Sequence, residues 1–193
     1  MADITHHHAT FDGLRMHWAQ AGRTGPRLMC LHGFPEFWKQ WEKQLVDLGD
    51  DHVVVAPDQR GYHLTDAPEG VEPYRMQHLI DDVVALADHL GWDRFTLIGQ
   101  DWGGAVAWAF AALHPQRLER LVIMNAPHPA VFARELRDNP AQQAASAYMK
   151  VFATPEAPTL VARDDHARFA ESLFADGLRD GWATEAERDA YLA

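Results

Sequence analysis

The 193-residue sequence predicts an α/β fold: a mostly parallel sheet that opens with an antiparallel hairpin and leads into a helical segment. Three observations predict it. Short apolar runs alternate with stretches of helical spacing as far as Asn125, the pattern of a doubly wound sheet. The run "HVVVAPD" is almost continuously apolar, as a parallel strand buried on both faces requires. Beyond Asn125 no apolar strand run occurs, and 130–193 reads as polar helix punctuated by Pro140, Pro155 and Pro158.

Each element has its own local reason. "ATFDGLRMHWAQAG" reads as two strands joined at Asp12-Gly13, a dipeptide suited to tight hairpin turns. His6, His7 and His8 fall on the first of them. "RLMCLHG" is a short buried strand, followed by "EFWKQWEKQLVDLG", where Phe37, Trp41, Leu45 and Leu48 recur at helical spacing. "HVVVAPD" follows as a strand, and "RGYHLTDAPEGVEPY" is a loop rich in Gly, Pro and Asp. In "RMQHLIDDVVALADHLG", Leu79, Val83, Leu86 and Leu90 form one stripe that ends at Gly91. The strand "FTLIG", a helix running to His114 and the strand "RLERLVIMN" complete the series.

Composition narrows the function classes. A net charge of −11 argues against nucleic acid and anionic membrane surfaces as partners. No apolar run reaches membrane-spanning length, and "MADITHHHATFDG" lacks a signal-peptide core, so a reducing cytoplasm is the expected setting. The single cysteine, Cys30, sits in an apolar run and reads as a small core residue. Twelve histidines raise the question of a metal, but no H-E-x-x-H or Cys/His ladder is present. They are expected to be structural, with no metal site.

Two motifs carry chemistry. "GQDWGG" follows a predicted strand and opens a predicted helix, with the form G-x-D-x-G-G. It is a nucleophile-elbow pattern with Asp101 where serine usually stands. Small neighbours suit so sharp a turn, and the helix N-terminus favours an ionised carboxylate. "LHGFPEFW" follows an earlier parallel strand. In folds with this elbow, one oxyanion N–H comes from the residue after the nucleophile and one from the loop after this strand. Those positions are Trp102 and Phe34.

The chain resembles the epoxide hydrolase branch of the α/β-hydrolase fold family, through "HGFPEFW", "PDQRGYHLTDAP", "GQDWGGAVAW" and "NAPHPAVFARELRDNP". The resemblance implies that 1–127 is the N-terminal part of the hydrolase core and 128–193 the start of a helical cap. It implies Asp101 as nucleophile, with Phe34 and Trp102 supplying oxyanion N–H groups. Phe34, Pro35 and Trp102 would line the substrate pocket, and the Phe34-Pro35 bond would be cis. Tyr148, in "SAYMKVF", takes the place of a cap tyrosine that holds the epoxide oxygen. The implied substrate is a small apolar epoxide, with no cofactor.

The pattern is also incomplete. The downstream histidines are His114, His128 and His166, none of them placed as the catalytic base, and Asn125 stands where some relatives carry a carboxylate. The charge-relay acid and histidine are therefore expected beyond Ala193, with the chain read as the N-terminal part of a longer enzyme. Its last strand would then leave a sheet edge open to pairing or homo-oligomerisation. Two alternatives stay open: haloalkane dehalogenation by the same aspartate, against which Phe34 counts, and a non-catalytic remnant.

Overall fold

The computed structural model describes residues 2–164 and 166–191. Asp165, one of the acids beside His166, and residues 192–193 lie outside the described residues. The chain divides into two compact units, Met1–Phe132 and Ala133–Ala193.

The first unit holds a six-stranded sheet of order β1-β2-β4-β3-β5-β6. β1 (Thr5–Phe11) and β2 (Leu14–Ala21) form the antiparallel hairpin, with His8 opposite His17. Asp12 and Gly13 both have positive φ, 47° and 85°, the combination of a type I′ turn. β2 also runs antiparallel to β4 (Val53–Pro57), whereas β3 (Arg27–Leu31), β4, β5 (Phe95–Gln100) and β6 (Leu118–Met124) are mutually parallel. β6 forms one edge, with Val122 and Met124 exposed.

The period-2 alternation of the strands feeds two cores. Met29, Leu31, Val55 and Leu97 point to one face, where Leu79, Ile80, Val83 and Leu86 of α2 (Met76–His89) and Val106, Ala107 and Phe110 of α3 (Asp101–Leu113) cover them. Leu28, Cys30, Val54 and Ala56 point to the other, against Trp41 and Leu45 of α1 (Glu42–Leu48). Burial on both faces explains why these strands read as unbroken apolar runs. Burial also pushes the Cys30 thiol up to about 12, so it packs as an inert core group.

Helix ends follow the local chemistry. α2 closes in a Schellman motif: Trp92 N–H donates to Ala87 and Gly91 N–H to Asp88, with Gly91 left-handed at φ 67°. The helix expected from the Phe37 stripe is shorter. Phe37 is an extended flanking residue, Trp38–Trp41 form a 3-10 turn, and α1 begins at Glu42. Trp38 N–H is spent on Asp58 Oδ1 at 2.8 Å, and Gln40 N–H closes back on Phe37. The tertiary bond to Asp58 and the local closure onto Phe37 hold the first turn tight.

The second unit is helical. α4 (Pro129–Asp138) leads in, followed by α5 (Pro140–Ala145), α6 (Ala147–Phe152), α7 (Ala157–Val161), α8 (Ala167–Asp180) and α9 (Glu185–Ala190). Pro140 starts α5 behind an Asn139 cap, where a missing N–H costs nothing. Thr184 and Glu187 form a capping box on α9. Among the described residues no helix is long and apolar enough to cross a membrane.

Candidate active site

Asp101 stands on the turn from β5 to α3, beyond the carboxyl end of a parallel strand, where open α/β sheets place ligand chemistry. Its φ is +49°, a region few residues other than glycine adopt. The surrounding glycines show what forces it there. A Cβ on Gly99 would lie 2.4 Å from the Gly103 carbonyl oxygen, and one on Gly103 would lie 2.4 Å from that of Leu31. One on Gly104 would meet Ala126 Cβ at 2.5 Å. Helix α3 therefore packs directly on β3 and β5, and the chain has no room to turn more gradually. Asp101 is lifted out of the sheet as a result.

The loop after β3 closes over this carboxylate. Phe34 N–H donates to Asp101 Oδ1 at 3.1 Å, while Oδ2 has no hydrogen-bond partner among the described residues. A Cβ on Gly33 would stand 2.7 Å from Asp101 Cβ, so only glycine lets the loop approach. Gly33 N–H donates to Gln40 Oε1 at 3.0 Å, and Gln40 Nε2 donates to Gln100 Oε1 at 3.1 Å. That relay ties the loop to Gln100, the residue before Asp101. Phe34 and Trp102 are partly exposed at this end of the sheet, and the Phe34-Pro35 bond is cis, as the resemblance implies. Trp102 lies in the first turn of α3, whose N–H groups have no partner within the helix.

His32 is a support rather than an acid or base. Wholly buried, its Nδ1 donates to the Gly33 carbonyl at 2.8 Å and its Nε2 accepts from Gln59 N–H at 2.9 Å. Burial pushes its pKa down to about 4, outweighing the Gly33 bond that raises it. The unfolded ring binds a proton near 6.5, so between these values the unfolded chain holds more protons than the folded one. This contribution is complete above about pH 6.5 and is lost as pH falls toward 4, up to roughly 3 kcal/mol in all. The urea midpoint should accordingly be lower near pH 4.5 than near pH 7, with an unchanged slope. A midpoint that holds or rises on acidification contradicts this.

Tyr62, which motif reading passed over, packs on His32 with ring centroids 4.8 Å apart. Its hydroxyl is pushed up to about 12, first by burial and then by the Asp101 charge, so it stays a neutral phenol. The other candidates are placed elsewhere. His114 caps the end of α3 and packs on Phe110, and His128 packs edge-on to Trp108 at 4.9 Å. Asn125 makes a left-handed turn after β6 at φ 53°. His166, with φ 64°, precedes α8 in the second unit. Tyr148 is also in the second unit, on α6, 55% exposed and edge-on to Phe152. Phe34, Pro35, Asp101 and Trp102 are the sequence-predicted residues that the first unit gathers at one end of its sheet.

Comparison with known proteins agrees with this geometry. The family model described as the alpha/beta hydrolase fold matches residues 26–190. The chain is 43% identical over 156 residues to the AB hydrolase superfamily protein YfhM of Bacillus subtilis, covering 80% of this chain and 54% of that protein. It is 37% identical over 186 residues to epoxide hydrolase 4 of Mus musculus, covering 93% and 52%. An inhibitor complex of an epoxide hydrolase from Bacillus megaterium superposes with a TM-score of 0.92 at 34% identity, covering 96% of this chain and 65% of that one. The chain spans about half the length of the curated relatives it matches. On its matched family model, its sheet order and its strand-turn-helix elbow, the chain belongs to the α/β hydrolase fold family.

Proposed function

We propose that this chain carries the nucleophilic half of an epoxide hydrolase site, with Asp101 as the nucleophile. The observation that carries the reading is the asymmetric carboxylate: Oδ1 is held by Phe34 N–H, while Oδ2 is left to attack. A carboxylate is ionised at neutral pH and displaces at a strained sp3 carbon without a base, whereas serine needs one. Oδ2 bonds to an epoxide carbon, the carbon–oxygen bond of the ring breaks, and the ring oxygen leaves as an alkoxide. It takes a proton from the cap tyrosine donor, the part that the resemblance gives to Tyr148. The product is a hydroxyalkyl ester of Asp101, its carbonyl oxygen Oδ1 already at Phe34 N–H.

Water, losing a proton to a histidine base, then adds to the Asp101 carboxyl carbon. The oxyanion that forms is stabilised by the N–H groups of Phe34 and Trp102. Collapse expels the diol and restores the carboxylate, and the proton taken up by the histidine returns to the tyrosine donor. The epoxide hydrolases among the relatives support this substrate class over a haloalkane. Phe34 and Trp102, exposed beside Asp101, suit an apolar epoxide.

The direct test is diol formation from a panel of small aryl and alkyl epoxides; haloalkane turnover with inert epoxides overturns the reading. Tyr148→Phe removes one proton donor and should lower epoxide turnover about tenfold or more, with the circular dichroism spectrum unchanged. Unchanged turnover in that variant would reassign the donor.

A further inference from the structure

We infer that His17, Asp58 and His63 form a binding site for one divalent transition-metal ion, separate from the Asp101 site. The Asp58 carboxylate is completely buried, and its oxygens are used asymmetrically. Oδ1 is fixed by Trp38 N–H at 2.8 Å. Oδ2 faces His17 Nδ1 at 2.7 Å and His63 Nδ1 at 2.8 Å, with Leu64 N–H at 3.3 Å. His17 Nδ1, Asp58 Oδ2 and His63 Nδ1 all lie within 4.8 Å of one another. Two imidazole nitrogens and one carboxylate oxygen are the donor set of many zinc, iron and cobalt centres.

The surroundings are built as metal sites are built. His17 Nε2 lies 3.0 Å from His6 Nδ1, the outer-ring hydrogen bond that fixes the tautomer of a metal-bound histidine. His8, directly across the hairpin, packs its ring 4.9 Å from that of His17. Trp38 N–H plays the same orienting part for the carboxylate. His17 and Asp58 are inaccessible, but the His63 side chain is 37% exposed, so an ion has an entry path.

Binding needs a proton shift on the rings and an adjustment of the donor spacing, which is within 4.8 Å for every pair. Each ring moves its proton from Nδ1 to Nε2 and coordinates through Nδ1; His17 then donates from Nε2 to His6 Nδ1, whose own proton moves to Nε2. Metal–ligand bonds of about 2.0–2.2 Å at the tetrahedral angle set donor atoms about 3.3–3.6 Å apart. The 2.7 and 2.8 Å separations must therefore widen by roughly 0.5–0.9 Å. His63 can supply the opening of its own pair, since it sits on a loop and is partly exposed, while the His17–Asp58 pair opens by rotation of the Asp58 carboxylate just beyond β4. Solvent completes the shell. Imidazole donors favour Zn2+, Co2+ or Ni2+ over Mg2+ or Ca2+. The ion would fasten the hairpin, the exit from β4 and the turn before α1.

The test is titration of the chelator-stripped protein with Zn2+ by calorimetry and with Co2+ by visible absorption. One ion per chain, with a dissociation constant at or below about 10 µM and no competition from excess Mg2+, is expected. His63→Asn tolerates the positive φ of 46° and should weaken binding at least tenfold, or roughly that. His78→Ala, on the exposed face of α2, should leave it unchanged, and His63→Cys should restore it. In the wild-type protein, the first equivalent of Zn2+ should shift the ring resonances of His17 and His63 together. No saturable binding, equal affinity in His63→Asn, or resonance shifts confined to other histidines would leave a hydrogen-bond network and no metal site.

Discussion

Asp101→Ala is expected to reduce epoxide opening to the uncatalysed background, a loss of more than about 10⁴-fold. Nothing else at the elbow supplies a nucleophile: the flanking residues are Gln100 and Trp102, and the Phe34 N–H can only stabilise charge. Alanine also sits poorly at φ +49°, so Asp101→Asn, which tolerates that backbone, is the better-folded companion. It should begin inactive and recover slowly as deamidation regenerates the carboxylate. Diol formation over time, with circular dichroism as the control for folding, reads both outcomes. Asp101→Asn at full activity from the first turnover would exclude Asp101.

Gly103→Ala should have the largest effect on stability. The added Cβ would meet the Leu31 and His32 carbonyl oxygens at 2.4 and 2.5 Å, and these are backbone atoms that no rotamer change can move. Helix α3 would have to back away from β3. Overpacking in a well-filled core costs about 1–3 kcal/mol, and a backbone contact this short belongs at or above the top of that range. Against a total stability of about 5–15 kcal/mol that is a large fraction, readable as a lower urea midpoint. Gly33→Ala separates fold from site. Its Cβ would meet Gln100 Oε1 at 2.3 Å and Asp101 Cβ at 2.7 Å, so the loop should lift and Phe34 N–H should leave Oδ1. Activity should fall far more than stability. The reverse ranking of the two variants would refute this account of the elbow.

What the sequence discloses depends on how far apart the interacting residues lie. The Asp12-Gly13 turn, the stripe of α2 and the apolar run of β4 are local patterns, and each maps onto its element. Asp101, Phe34 and Trp102 were legible because two short motifs each carry their own geometry. The Gln40–Gln100 relay was not, because it spans 60 residues and neither glutamine belongs to a recognisable motif. The same holds for the histidines. His17 and Asp58 are 41 residues apart and become neighbours only because β2 pairs with β4. A search for local metal-ligand spacing cannot find donors that sheet topology assembles. Phe37 shows the converse: its periodicity is helical, yet the bond from Trp38 N–H to Asp58 leaves it outside the helix.

The central claim is that Asp101 becomes covalently bonded to the substrate. It is tested most directly by incubating the protein with an epoxide in heavy-oxygen water and mapping peptide masses. The account predicts that the peptide carrying Asp101 bears either the intact hydroxyalkyl ester or, once that ester has been hydrolysed at its carbonyl carbon, heavy oxygen in the carboxylate. Diol that carries all the label, from a protein whose Asp101 peptide shows neither change, would contradict it.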